Sequence, residues 1–337
     1  MEYEGRSVLP HLPPIPCPFP ALVHPAAELA EAHVRYYGRR FGLVNTSASE
    51  ERFDRAGYGL FAARTSPTAC DIELRAEWAA WFFVFDDEFD EAGRPQDRGA
   101  LVGGVLAEVR AVLTPDLRPP PVRPSNPLTA ALADMWPRTA RQMSVGWRER
   151  FTANLCSYVA VYGTELSQRR FGTPPSFEEY LPFRRVVGAS DACWDMIEAA
   201  QGESLPEPVA GHALCRAVRE AAADVICWTN DIVSFNKEYA RGDMNNIVAV
   251  LRHAHALSWP EAAERAAGLV AVRTQDYLAA RRALAESPVS TAYLERCLDA
   301  MSHWVAGSRA WHLWSRRYRD IEHAPPTEDP SYYDPLL

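Results

Sequence analysis

No Cys-x-x-Cys pair occurs among Cys17, Cys70, Cys156, Cys193, Cys215, Cys227 and Cys297, and their number is odd. That argues against a disulfide framework. Most of these thiols lie in apolar helical stretches, as buried, reduced cysteines of a cytoplasmic protein do. Long apolar runs are missing too. None approaches the ~18 residues of a membrane span, and residues 78–85 have only the length of a buried helix. Met1-Glu2-Tyr3-Glu4 is acidic, without a basic or apolar leader, so no signal peptide is expected. The chain carries no basic stripe, and its net charge is −9, which speaks against a nucleic-acid partner. Strand-type alternation, an Asn-Gly hairpin and a β-α repeat are all absent, which leaves helix as the building material.

What is present is a chain of 337 residues, 47% hydrophobic, long enough to bury a sizeable core. Proline punctuates it in three places. It predicts an N-terminal arm over 1–25, extended from residue 8 because each ring fixes φ and removes a donor. It also predicts a loop over 114–127 and a C-terminal tail over 321–337. Helices are predicted over 26–41, closed by Gly42, over 70–90, over 128–170 as one or two, over 177–201 behind a Ser176/Glu179 capping box, and over 209–240, 259–284 and 289–318. Neither side of the 114–127 loop looks self-sufficient. The expected fold is therefore an all-α, single-domain helical bundle spanning 26–320.

The sharpest local feature is Phe82-Phe83-Val84-Phe85-Asp86-Asp87-Glu88-Phe89-Asp90-Glu91, an apolar helix running straight into carboxylates. Asp86 and Asp90, four residues apart, share a helix face. Crowded carboxylates at the negative end of a helix dipole call for cations, and a hard divalent ion such as Mg²⁺ suits oxygen ligands. Alone, the cluster reads equally as a solvated helix end.

The second feature is Asn230-Asp231-Ile232-Val233-Ser234-Phe235-Asn236-Lys237-Glu238. Asn230, Ser234 and Glu238 fall at i, i+4 and i+8, so three oxygen ligands face one way, with Lys237 at their flank. Mid-helix Asn and Ser lower helix stability, which an amphipathic face with incidental polar residues would not require. Mg²⁺ is usually held by a few protein oxygens plus substrate phosphates. Two such clusters on separate helices suit a clamp for a diphosphate.

At this point the chain resembles the bacterial class I terpene synthases. Asp86-Asp87-x-x-Asp90 resembles the aspartate-rich motif of that family, and Asn230-Asp231-x-x-Ser234-x-x-Lys237-Glu238 matches its second metal motif at every defining position. Arg184 stands where the family has a diphosphate-sensing arginine. Val187 and Gly188 stand at its linker residue and helix-breaking effector, and Arg317-Tyr318 at its C-terminal Arg-Tyr pair. Trp311 and Phe83 fall where aromatics line the pocket. The landmarks span residues 19–320. One departs from the pattern: the linker, often Asp, is Val187.

The resemblance implies an all-α bundle of the class I terpenoid synthase type around a central cavity, three Mg²⁺ ions, and an isoprenoid diphosphate substrate. Asp86 with Asp90 would hold two ions, and Asn230, Ser234 and Glu238 the third. Arg184, Lys237, Arg317 and Tyr318 would bind the diphosphate, and Asp87 would pair with an arginine on closure. Gly188 would aim a carbonyl at the carbocation, while Phe83, Val187 and Trp311 line the pocket. It allows a homodimer. The expected reaction is ionisation and cyclisation of farnesyl diphosphate, with geranylgeranyl diphosphate next, to a terpene hydrocarbon or alcohol. A prenyl diphosphate synthase would carry a second aspartate-rich motif instead of Asn/Ser/Glu. A non-catalytic isoprenoid-diphosphate-binding protein should have lost a ligand.

Overall fold

In the computed structural model, residues 8–90, 98–121, 123–169 and 173–318 are described, with the backbone alone at 90, 98–100 and 164–169. The predicted 321–337 tail lies outside them. Every regular element among the described residues is helical.

The chain opens with α1 (Ala27–Arg40), α2 (Ser47–Ala56), α3 (Tyr58–Thr65), α4 (Ile72–Asp90) and α5 (Arg98–Val112). Next come α6 (Pro127–Ala140), α7 (Val145–Arg169), α8 (Phe177–Val187), α9 (Ser190–Ala200) and α10 (Glu207–Ala210). It ends with α11 (Ala213–Ala240), α12 (Ile247–His255), α13 (Trp259–Ala285), α14 (Ala292–Trp314) and a 3-10 turn at Arg316–Tyr318. No described helix is long and apolar enough to cross a membrane.

Local chemistry accounts for the boundaries. Gly42, at φ +69°, follows α1 as expected. The Ser176/Glu179 capping box starts α8, and a second, Ser258/Glu261, starts α13. The region expected as one helix over 177–201 is two, α8 and α9. The left-handed turn between them belongs to Ala189 (φ +51°), not Gly188, whose φ is −76°. Gly188 is required for another reason: a Cβ there would come within 2.6 Å of Cys227 Sγ on α11. Helices α2, α3, α5 and α12 escaped the sequence reading. α3 is almost wholly buried and so shows no amphipathic period.

One continuous core joins these helices. Trp78, Trp81, Trp136, Trp147 and Trp311 are all buried in it. The proline-rich arm is extended, yet it is strapped to the bundle. Leu9 and Asn236 exchange two hydrogen bonds of 2.9 Å, and Arg309 Nε donates to Ile15 O. α14 lies hard against the end of α3, where a Cβ on Gly307 would collide with Arg64 O. That contact brings the last helix over the cavity that α4, α8, α9 and α11 enclose.

Candidate active site

The cavity has a volume of about 170 Å³. Its polar mouth gathers residues from four elements: Asp86 of α4, Arg184 of α8, Asn230, Asp231, Lys237 and Glu238 of α11, and Arg317 and Tyr318 of the 3-10 turn. The two motifs, distant in sequence, therefore meet. Phe83, Val187 and Gly188 line the same space.

Arg184 is held by α11. Its Nε donates to Asp231 Oδ1 at 2.7 Å and its Nη2 to Asn230 Oδ1 at 2.8 Å. Asp231, fully buried, also accepts from the Tyr180 hydroxyl and, at 2.7 Å, from the Ile247 N–H. Desolvation opposes the charge on Arg184, but Asp231 together with Cys227, Tyr180 and Glu238 outweighs it and holds the guanidinium well above its ordinary pKa. The Asn230 amide is fixed on its other side, where Nδ2 lies 3.2 Å from both His312 Nε2 and the Tyr318 hydroxyl. Burial, reinforced by Arg184 and Arg317, drives His312 down to about 3. The ring is therefore neutral and accepts from Asn230 through Nε2.

Arg317 binds both residues of the aspartate pair. It reaches Asp86 Oδ2 at 2.7 Å and clasps both oxygens of Asp87. Lys237 Nζ stands 3.5 Å from Asp87. Asp86 accepts in addition from Tyr162, at 2.8 Å. Asp87 thus engages the cations, and Asp86, with a side chain one-third exposed, opens to the cavity. The Asp90 side chain lies outside the described residues.

Ser234 Oγ donates to Asn230 O at 2.8 Å, one turn back on α11, and is not part of the lining. Glu238 accepts from Asn246 Nδ2 at 2.8 Å, and Asn246 donates equally to Asp231 O. Burial first, then the charges of Asp231 and Asp243, push Glu238 up to about 7. So raised a value marks a buried carboxylate short of counter-charge, which a hard divalent cation would supply. No three described His, Cys, Asp or Glu side chains form a ready cage. The donors instead fit an ion that shares its shell with substrate.

Trp311 requires a correction. Its ring is fully buried behind the wall, between Phe61 (4.9 Å) and Phe83 (4.8 Å), with its indole N–H donated to Gly57 O. The lining tryptophan of α14 is Trp304, two turns earlier. Phe83 does line the cavity and also supports Arg317, whose guanidinium sits 5.3 Å from the ring centre. Asp231 was visible inside its motif without a role. Tyr162, Tyr180, His312 and Asn246 carried no sequence signal, because only the fold brings them to the motifs.

Comparisons with known proteins place the chain in a family. The profile of terpene synthase family 2, C-terminal metal binding, matches residues 77–276. A (+)-T-muurolol synthase, described as farnesyl diphosphate cyclizing, from Roseiflexus castenholzii is 32% identical over 94% of this chain and 94% of its own. A pentalenene synthase from Streptomyces arenae is 33% identical, over 91% and 92%. The crystal structure of an α-eudesmol synthase superposes with a TM-score of 0.79 at 27% identity, covering 90% of this chain and 99% of that one. With matching motifs, fold and relatives, the chain belongs to terpene synthase family 2 and is a bacterial class I terpene cyclase with a divalent-metal site.

Proposed function

We propose that the preferred substrate of this cyclase is farnesyl diphosphate, with geranylgeranyl diphosphate the runner-up. The observation that carries the reading is the cavity. It holds about 170 Å³, and Phe61, Phe82, Phe83, Tyr158 and Trp304 narrow it. These rings crowd the cavity and favour the shorter of the two chains. The Roseiflexus relative, named for farnesyl diphosphate, supports the same length.

The residues divide the work. Asp86 with Asp90 would hold two of three Mg²⁺ ions, and Asn230, Ser234 and Glu238 the third. Bound there, the ions supply Lewis-acid neutralisation of the departing diphosphate. Arg184, Lys237, Arg317 and Tyr318 donate hydrogen bonds to it, with the arginine forks matched to phosphate oxygens. Asp87 orients Arg317 and Lys237 toward that anion. The side chains of Phe83, Val187 and Trp304 keep water from the allylic cation, and the aromatic faces stabilise it. Gly188, at the break between α8 and α9, turns its carbonyl toward the same charge. Residues 26–320 make up the catalytic domain, and the arm, from residue 8 onward, braces it.

The test is a competition. Both diphosphates are offered at equal concentration with Mg²⁺, and the extract is analysed by mass spectrometry. Cyclic C15 products should dominate; a clear C20 majority would overturn the choice of substrate and leave the cyclase assignment intact.

A further inference from the structure

The cavity ends on a charge. Most of its inner wall is apolar, built from Phe61, Ala79, Phe82, Met196 and Trp304, but Arg75 also lines it. Arg75 is only 4% exposed. It shares α4 with Asp86, eleven residues earlier, which at the helical rise is about 16 Å along the axis. The guanidinium therefore stands at the floor, far from the mouth where the diphosphate donors gather.

Arg75 is only partly satisfied. Nε donates to Asp71 at 3.2 Å, Nη2 to Asp71 Oδ2 at 2.6 Å, and Nη1 to Met196 O at 3.1 Å. A guanidinium carries five N–H groups. The second N–H on each terminal nitrogen meets no acceptor among the described residues. The Ser66 hydroxyl, lining the same cavity, makes no hydrogen bond either; only the Ser66 backbone is engaged. The neighbouring Thr65 hydroxyl is spent on Phe61 O. Buried donors and an idle hydroxyl beside a cavity are the setting in which an ordered water resides.

We propose that Arg75 and Ser66 hold a water molecule at the cavity floor, and that this water captures the final carbocation, so that the enzyme releases a terpene alcohol. The proposal rests on the farnesyl diphosphate reading above. In the step, a lone pair of the water oxygen forms the new C–O bond to the cationic carbon. One O–H bond of the resulting oxonium breaks, and its proton passes to the carboxylate of Asp71, whose side chain is one-third exposed and can hand it to solvent. Nothing is oxidised or reduced. Asp71 also cancels the charge of Arg75, so the floor does not repel the approaching cation as a lone guanidinium would. Distance protects the early intermediates. The allylic cation forms at the mouth, beyond reach of the water, and only a late cation carried to the floor meets it.

The experiment uses the full-length protein with Mg²⁺ and farnesyl diphosphate in H2(18)O, read by mass spectrometry. The main product should be a C15 alcohol bearing the heavy oxygen. Ser66→Ala and Arg75→Met should each lower the alcohol-to-hydrocarbon ratio, by about fivefold for the loss of one hydrogen bond to the water. Ser66→Ala removes only a hydroxyl and carries the test should Arg75→Met fail to fold. A hydrocarbon as the main wild-type product overturns the proposal while the farnesyl reading stands, and so does an unchanged ratio in the folded variants. Absence of any C15 product sinks the farnesyl reading instead, and this proposal with it.

Discussion

Arg184 and Asp231 form a buried pair, Nε to Oδ1 at 2.7 Å, between α8 and α11. The pair bears on the one departure in the sequence. Val187 occupies a position where the family often has an acid; Arg184 takes its orientation from Asp231 and Asn230 on α11. Removing the acceptor while keeping the shape isolates that role. Asp231→Asn is expected to lower turnover on the order of a hundredfold, the cost of a misplaced clamp. It should also destabilise the fold by about 3 kcal/mol, since it leaves a guanidinium buried without its counter-charge. Steady-state kinetics and chemical denaturation measure the two effects, and near wild-type turnover would remove Asp231 from the sensor.

The donors of the second motif should fail without unfolding the protein. Asn230→Ala and Glu238→Ala are each expected to cost roughly a hundredfold or more in turnover, with the helical circular dichroism signal retained. Excess chelator should silence the wild type, and Mg²⁺ should restore it. Full turnover in chelator would contradict the metal assignment.

Trp304 and Trp311 should separate by what they change. Trp304 lines the cavity, so Trp304→Leu should alter the product spectrum. Trp311 is buried behind it, and Trp311→Ala should cost about 3–5 kcal/mol of stability. If Trp311→Phe redirected products as strongly as Trp304→Leu, the ring would belong to the pocket after all.

His312 sets a pH dependence. Its folded pKa, about 3, lies below the ordinary 6.5 of a histidine. Below pH 6.5 the unfolded chain takes up a proton that the folded chain refuses, so stability falls with pH, by about 2 kcal/mol at pH 5. Glu238, raised to about 7, works with the opposite sign between 4.5 and 7. The comparison is therefore wild type against His312→Gln, which should lose the His312 contribution. Thermal denaturation from pH 7.5 to 5 reads it, and parallel curves would refute the assignment.

Much of the chain was legible from local pattern. Ser176 with Glu179 announced α8, and Gly42 announced the end of α1, because capping depends on neighbours within a turn. Asn230, Ser234 and Glu238 were readable as one face because helical spacing is a local property. α3 was not legible: it is almost wholly buried, so no polar face marks its period.

The amino-acid sequence by itself determined the helical class, the two motifs and the chemistry they serve. Each rests on residues close together along the chain, where helix geometry and capping act. Only the tertiary structure decided which tryptophan of α14 faces the cavity, and that Asp231 rather than residue 187 holds Arg184. It alone placed His312 beside Asn230 and Asn246 beside Glu238, and brought Arg75 to the cavity wall. These relationships join helices far apart in sequence, and their register is set by packing of the whole core, which no local pattern encodes.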